Sequence, residues 1–305
     1  MRSRNVRRPG RKVKGGERPL PGWLTTGLTV GWVAALVWLE RRQALRQRQV
    51  EPKLRRDVRN LAVGGLGAIA LHLAERPIVS PLARLVLRRR WGLLQRMRLP
   101  LGAEVALAVV LMDYTLYRWH VLVHKVPWLW RFHLVHHADL DMDASTALRF
   151  HFAELTVSVP WRAAQVMVIG VSPLALSVWQ TFLFWSILFH HSNVGLPLGL
   201  ERRLSRWVVT PRLHGIHHSI IEEEANSNWS SGLTVWDWLH GTLRRNVPQP
   251  AITIGVPSYR DPAELTLSKV LAMPFGDERL EWDDPDGTRP VRSPSQLGAP
   301  RELQA

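Results

Sequence analysis

The chain has 305 residues, 46% of them hydrophobic, and a formal net charge of +15, which is enough material for one sizeable domain with a full core. It contains no cysteine, and this excludes thiolate-ligated haem, cysteine-held iron–sulfur clusters, zinc fingers and disulfides within the chain, leaving only nitrogen and oxygen to bind a metal. The surplus Arg lies beside apolar blocks, in RSRNVRRPGRKVKGGER, ERRQALRQRQVEPKLRRDVRN and RLVLRRRWGLLQRMR. Anionic lipid headgroups supply the counter-charge there, so the basic balance points to a membrane surface and not to nucleic acid.

In chain order, residues 1–22 are rich in Arg, Pro and Gly and read as a basic disordered tail. They lack the short apolar region and small-residue cleavage site of a signal peptide, so the first apolar block is expected to stay as a span. Residues 23–100 hold two candidate spans, 23–39 and 61–86, the second with an expected break at Pro77. The stretch 84–98, with Arg on one side and Leu, Val and Trp on the other, predicts an amphipathic helix lying flat in the interface. Basic residues flank both ends of the first span, which leaves its orientation open.

Residues 101–245 hold the remaining apolar blocks: 101–123, then 155–171 and 174–189, which read as a tight or tilted hairpin turning at Ser172 and Pro173. Residues 246–305 are poor in core-building residues and read as a polar C-terminal tail. No solenoid repeat is present. The economical fold is an all-α, integral-membrane helical bundle with one embedded domain.

Thirteen histidines are present, and eight fall in three clusters: HVLVH (His120, His124), HLVHH (His133, His136, His137) and HGIHH (His214, His217, His218). On a helix, residues three and four apart share a face, so each cluster aims its imidazoles one way. Asp113, Tyr117, His120 and His124 form one polar stripe on an otherwise apolar helix. Such a stripe must face the bundle interior, with Asp113 placed to fix an imidazole tautomer. The second cluster follows closely; the hairpin then leaves and returns, bringing His190 and His191 back to the same membrane face, and the third cluster follows without another long apolar block. All these histidines are thus expected at one membrane face. Eight imidazoles exceed the roughly four to six positions of one first-row ion, so two metals is the natural count, with iron, zinc and copper all suited to imidazole.

The three clusters resemble the three histidine boxes of the fatty acid hydroxylase and sterol desaturase superfamily. DYTLYRWHVLVHKVPWLWRFHLVHH, TALRFHFAE, FHHSN and NSNWSSGLTVWDWLHGT extend the resemblance from about Asp113 to Thr242. It implies a pair of iron ions that activates O2 against an unactivated C–H bond of a fatty acyl chain, sterol, carotenoid or ether lipid, giving hydroxylation or desaturation. It also implies His120, His124, His133, His136, His137, His214, His217 and His218 as metal ligands, with His191 as a further one. His151, which also stands one turn before Glu154, and the residues Asn193, Asn228 and Asp237 are implied near the site. Two departures, Val121 after the first histidine and Trp229-Ser230 after Asn228, leave the ligands untouched but weaken transfer of any particular substrate.

No haem-binding domain or dinucleotide fingerprint is recognisable, so electrons are expected from a separate reductase, ferredoxin or cytochrome-type partner. The expected setting is a multi-pass protein of a bacterial inner membrane, with the histidines facing the cytoplasm. The rivals are a membrane zinc-binding or transport protein, which would need ligands near mid-membrane, and an inactive relative of the family.

Overall fold

The computed structural model describes residues 16–47, 50–277, 279 and 282–293. Residues 1–15 of the expected basic tail and 294–305 of the expected polar tail lie outside the described residues. Every regular element among the described residues is helical, accompanied by three isolated β-bridges. Four helices are long and apolar enough to cross a membrane: Gly22–Arg42, Lys53–Arg96, Leu101–Lys125 and Pro173–His191.

The first of these is α1 (Gly22–Arg42). The second is composite, formed by α2 (Lys53–Ala70), a π turn at Leu71–Glu75, α3 (Arg76–Arg89) and the short α4 (Leu93–Arg96). Pro77 does not break it. The π turn lets the Arg76 N–H reach the Leu71 carbonyl and seats Pro77 in the first turn of α3, where its missing N–H is tolerated.

The flat helix expected over 84–98 is also absent. α3 ends at Arg90, which is left-handed with φ 56°, and Gly92 (φ 81°) turns the chain under the bundle. There Gly92 meets Gly170 (φ 85°) so closely that a Cβ on Gly92 would lie 2.3 Å from the Gly170 nitrogen. Glycine is required at this contact both for its backbone conformation and for its lack of a side chain. Gln95 Nε2 closes the corner with bonds to the Gly170 carbonyl (2.8 Å) and Glu104 (3.0 Å).

α5 (Leu101–Lys125) is followed at once by α6 (Pro127–His137). The block 155–171 is not one span: it divides between α7 (Phe152–Val157) and α8 (Val159–Ile169), with Pro160 in the first turn of α8 and left-handed Gly170 at its end. At about 16 Å, α8 is too short to cross a bilayer. α9 (Pro173–His191) then returns beside α5 with the same direction, so both end in histidines at one face. Beyond it come α10 (Leu198–Leu204), α11 (Pro211–His217), the single turns α12 (Glu222–Ala225) and α13 (Val235–Leu239), and α14 (Leu267–Ala272).

The membrane-side core joins α3, α5, α8 and α9 through Val79, Ala83, Met112, Val166 and Trp179. A second core lies under the histidine face, and it corrects the expectation of a polar tail over 246–305. Val256, Leu265 and Val270, all 0% exposed, pack with Val63, Trp130 and Leu134. These apolar residues occur singly among Pro, Ser and Asp, so composition concealed them, yet each fully buried one stabilises by roughly 1.5–3 kcal/mol.

A buried ion network pins α2 to the loop after α6. Arg56 donates to Asp139 (2.8 and 3.0 Å), Asp143 (2.9 Å) and Thr146 (2.7 Å). Asn60 bridges Asp139 (2.9 Å) to Arg149 (3.0 Å). Burial by itself would raise the Asp139 carboxyl, but Arg56 and Arg149 hold it below its ordinary value.

Candidate metal centre

α5, α6, α9 and α11 bring nine imidazoles together in two groups. His120, His124, His133, His137 and His217 form one, and His136, His191, His214 and His218 the other; within each, the ring nitrogens lie within 4.8 Å of one another. All are buried except His124, which is partly so. Helix geometry explains the sorting. Each i,i+4 pair (His120/His124, His133/His137, His214/His218) enters one group, while the single histidine inside each of the last two clusters, His136 or His217, turns to the other.

The tautomers follow from the backing bonds. His120 Nδ1 donates to the Trp229 carbonyl (2.6 Å), His217 Nδ1 to Ser227 (2.8 Å), His191 Nδ1 to Ile187 (2.8 Å), and His133 Nδ1 to Glu154 (2.9 Å). The Nε2 atoms of these rings are therefore bare lone pairs. Yet His120 Nε2 and His133 Nε2 stand 3.2 Å apart with no proton left to share, and His191 Nε2 lies 2.9 Å from His136 Nε2 and 3.0 Å from His214 Nε2. His217 Nε2 and both ring nitrogens of His124, His137 and His218 have no hydrogen-bond partner.

Burial, then the neighbouring imidazoles, drive His136, His137, His214 and His218 well below the ordinary histidine value, and burial pushes His217 down to about 3. Neutral rings crowding their lone pairs into two buried spaces are costly unless a cation occupies each. An all-nitrogen set suits iron, zinc or copper and not magnesium or calcium.

Not every residue expected near the histidines touches them. Asp113 fixes no imidazole: it accepts from the Leu233 N–H (2.9 Å) and Trp236 Nε1 (2.7 Å), tying α5 to the loop before α13. His151 caps α7, accepting from the Ala153 N–H (3.2 Å) and facing the Leu271 carbonyl, and it does not pair with Glu154. Glu154 instead backs His133, a role its place after RFHFA did not reveal. Asn193 clasps the Arg46 backbone through both side-chain atoms (2.9 and 2.8 Å). Asn228, left-handed at φ 51°, bonds Leu213 and Arg244 and so fixes the carbonyls on either side of it, Ser227 and Trp229, which hold His217 and His120. Asp237, raised by burial, accepts from the Trp229 and Ser230 N–H groups (2.9 and 3.0 Å) and steadies the same loop. His190 stays outside both groups with its ring 4.0 Å from His214. His72 lies near Arg76, and His240 stacks on Tyr117.

A cavity of about 460 Å³ runs from the histidines into the bundle, with His120, His133, His136 and His191 at one end and walls that include Leu116, Trp119, Leu148, Phe150, Leu155 and Leu183. The Phe150 ring stacks 4.2 Å from His136.

The fatty acid hydroxylase family model matches residues 105–242. The chain is 34% identical over 159 residues to the ornithine lipid hydroxylase OlsE of Rhizobium tropici, covering 52% of this chain and 46% of the relative. It is 31% identical over 150 residues to cholesterol 25-hydroxylase of Mus musculus (48% and 49%), and 32% identical over 139 residues to alkylglycerol monooxygenase of Homo sapiens (43% and 28%). The chain thus spans about half the length, or less, of these curated relatives. No solved structure matches. The matched segment contains all nine clustered histidines and the loop carbonyls that orient them, so it is this segment of the chain that is similar to a fatty acid hydroxylase domain.

Proposed function

We propose that the chain is a membrane oxygenase that hydroxylates, or desaturates, a lipid, using O2 and two iron ions held by His120, His124, His133, His137 and His217 in one site and His136, His191, His214 and His218 in the other. The observation that carries this reading is the pairing of two groups of neutral, outwardly unpartnered imidazoles with an apolar cavity that ends on them. Bound iron would supply the redox chemistry that an unactivated C–H bond requires and that zinc lacks.

The rest is the work of the chain's own residues. Trp229, Ser227, Ile187 and Glu154 hold four Nε2 lone pairs in place, a second layer of contacts that fixes ligand direction. Leu116, Trp119, Leu148 and Leu155 keep water out and align an acyl or ring skeleton with one carbon at the histidine end. The names of the relatives, hydroxylases and a monooxygenase of lipids, favour hydroxylation over desaturation. Electrons come, in this reading, from a separate reductase, ferredoxin or cytochrome-type donor. The setting is a bacterial inner membrane with the histidine face toward the cytoplasm, where reductant is generated. A zinc transporter fits less well, because the histidines cluster at the C-terminal ends of α5 and α9 and beyond, away from any path through mid-membrane.

The test is iron-loaded protein in nanodiscs, supplied with reductant, 18O2 and a membrane lipid extract. The expected result is a lipid alcohol carrying one 18O atom. No labelled lipid from iron-loaded protein, or zinc flux across proteoliposomes, would overturn the reading.

A further inference from the structure

Far from the histidines, the same cavity ends on three polar side chains that its apolar walls do not explain: Glu75, Arg162 and Gln180. We propose that they form a recognition site for an uncharged hydroxyl of the lipid, so that the cavity selects an alcohol and presents carbon about three helical turns away to the metal site. The inference rests on the reading of the cavity as the lipid site.

The three come from three helices at membrane depth. Glu75 closes the π turn in the middle of the Lys53–Arg96 span and is 8% exposed; Gln180 lies within α9; Arg162 lies in the first half of α8. Ionisable groups at that depth are expensive and mark function by default, and a π turn, which here carries Glu75 to the cavity, often accompanies a functional site. Gln180 stands about 16 Å before His191 along α9, at 1.5 Å per residue.

The trio is not closed on itself. Gln180 Nε2 donates to one Glu75 oxygen (3.2 Å). Arg162 lies over the Trp179 ring at 4.5 Å, and its Nε is buried with no hydrogen-bond partner. Glu75 and Arg162 are near enough to act on each other electrostatically, yet no N–O contact within 4.0 Å joins them. An acceptor and a donor are left facing one space.

A hydroxyl answers both, donating to Glu75 and accepting from Arg162. A carboxylate or phosphate would meet Glu75, and a quaternary ammonium would meet Arg162, so the balanced pair rejects both charges. A purely structural trio would instead bond directly, as the Arg56 network does.

The test measures displacement of tritiated hexadecan-1-ol from the full-length, metal-free protein in detergent by four unlabelled probes: the same alcohol, hexadecyl methyl ether, palmitate and hexadecane. The alcohol is expected to displace at roughly tenfold lower concentration than the others, the effect of one to two buried hydrogen bonds. Arg162→Met should erase this preference. Glu75→Gln keeps an acceptor but removes its charge, so palmitate should gain about tenfold on the alcohol, a reversal that loss of helix packing alone would not produce. Equal displacement by ether and alcohol, or one order of probes shared by the parent and both variants, would overturn the inference. Because no metal is needed, the two readings separate. Alcohol preference without oxygenation of any lipid would sink only the oxygenase, whereas oxygenation without alcohol preference would sink only this site.

Discussion

Two buried polar clusters meet at the end of α6, and they have been settled in opposite ways. Arg56 closes on Asp139 and Asp143, charge against charge, and Asn60 ties Arg149 to the same Asp139. Two residues before Asp139 the imidazoles begin, and there the partners run out: His124, His137 and His218 have no hydrogen bond at either nitrogen. Both clusters cost free energy to bury. The first recovers it within the chain and holds the fold; the second can recover it only from a ligand.

The largest expected effect breaks the ion-paired cluster. Arg56→Met removes the one buried cation that bonds both Asp139 and Asp143, leaving Asp143 to the half-exposed Lys53 and Asp139 to the longer Arg59 contact, a loss of about 3–5 kcal/mol read as a lowered unfolding midpoint in detergent. His137→Ala in metal-free protein is the counterpart. It removes a ring with no hydrogen-bond partner, so its cost should be well under half that of Arg56→Met, and a comparable loss would show that the histidines are structural.

Glu154→Gln sharpens the comparison from the side of the backing bonds. It takes a charged acceptor from His133 Nδ1 while leaving every ring in place, and should weaken metal binding by roughly 10–100-fold with little change in metal-free stability. Competition with a calibrated chelator reads this directly.

Acid separates the clusters next. Unfolded His217 takes up a proton near 6.5, whereas the folded, metal-free protein keeps it neutral down to about 3. Its stability is full above 6.5 and declines as pH falls toward 3. The Asp139 contribution is present above 3.8 and is lost only below it, as pH falls through the depressed folded value. Unfolding midpoints between pH 7.5 and 4.5 should therefore fall in metal-free parent protein, and fall less in a His217→Gln variant. The smallest effect is expected of Asp113→Asn, about 1 kcal/mol, because two neutral donors lose only the charge of their acceptor.

Much of this was legible in the chain. Helical spacing shows which histidines share a face, and the apolar blocks show three of the four long helices to within a few residues at most ends. The sorting into five and four was not legible, since His136 and His133 are three apart on one helix and yet serve different groups. Asp113 misled because its helical phase is right for an imidazole, while a loop more than 100 residues later supplies closer donors. Pro77 misled because a π turn absorbs it, a rearrangement that propensity does not encode. The C-terminal segment misled because its buried apolar residues follow no period: a loop's packing is set by the surface beneath it, which only the fold reveals.

The most direct test of the account is metal content per chain, in parent protein and His136→Ala, after anaerobic iron reconstitution in detergent. The account predicts two irons in the parent and about one in the variant, because His136 belongs to the four-histidine group alone. One iron or none in the reconstituted parent, or two retained in the variant, would contradict it.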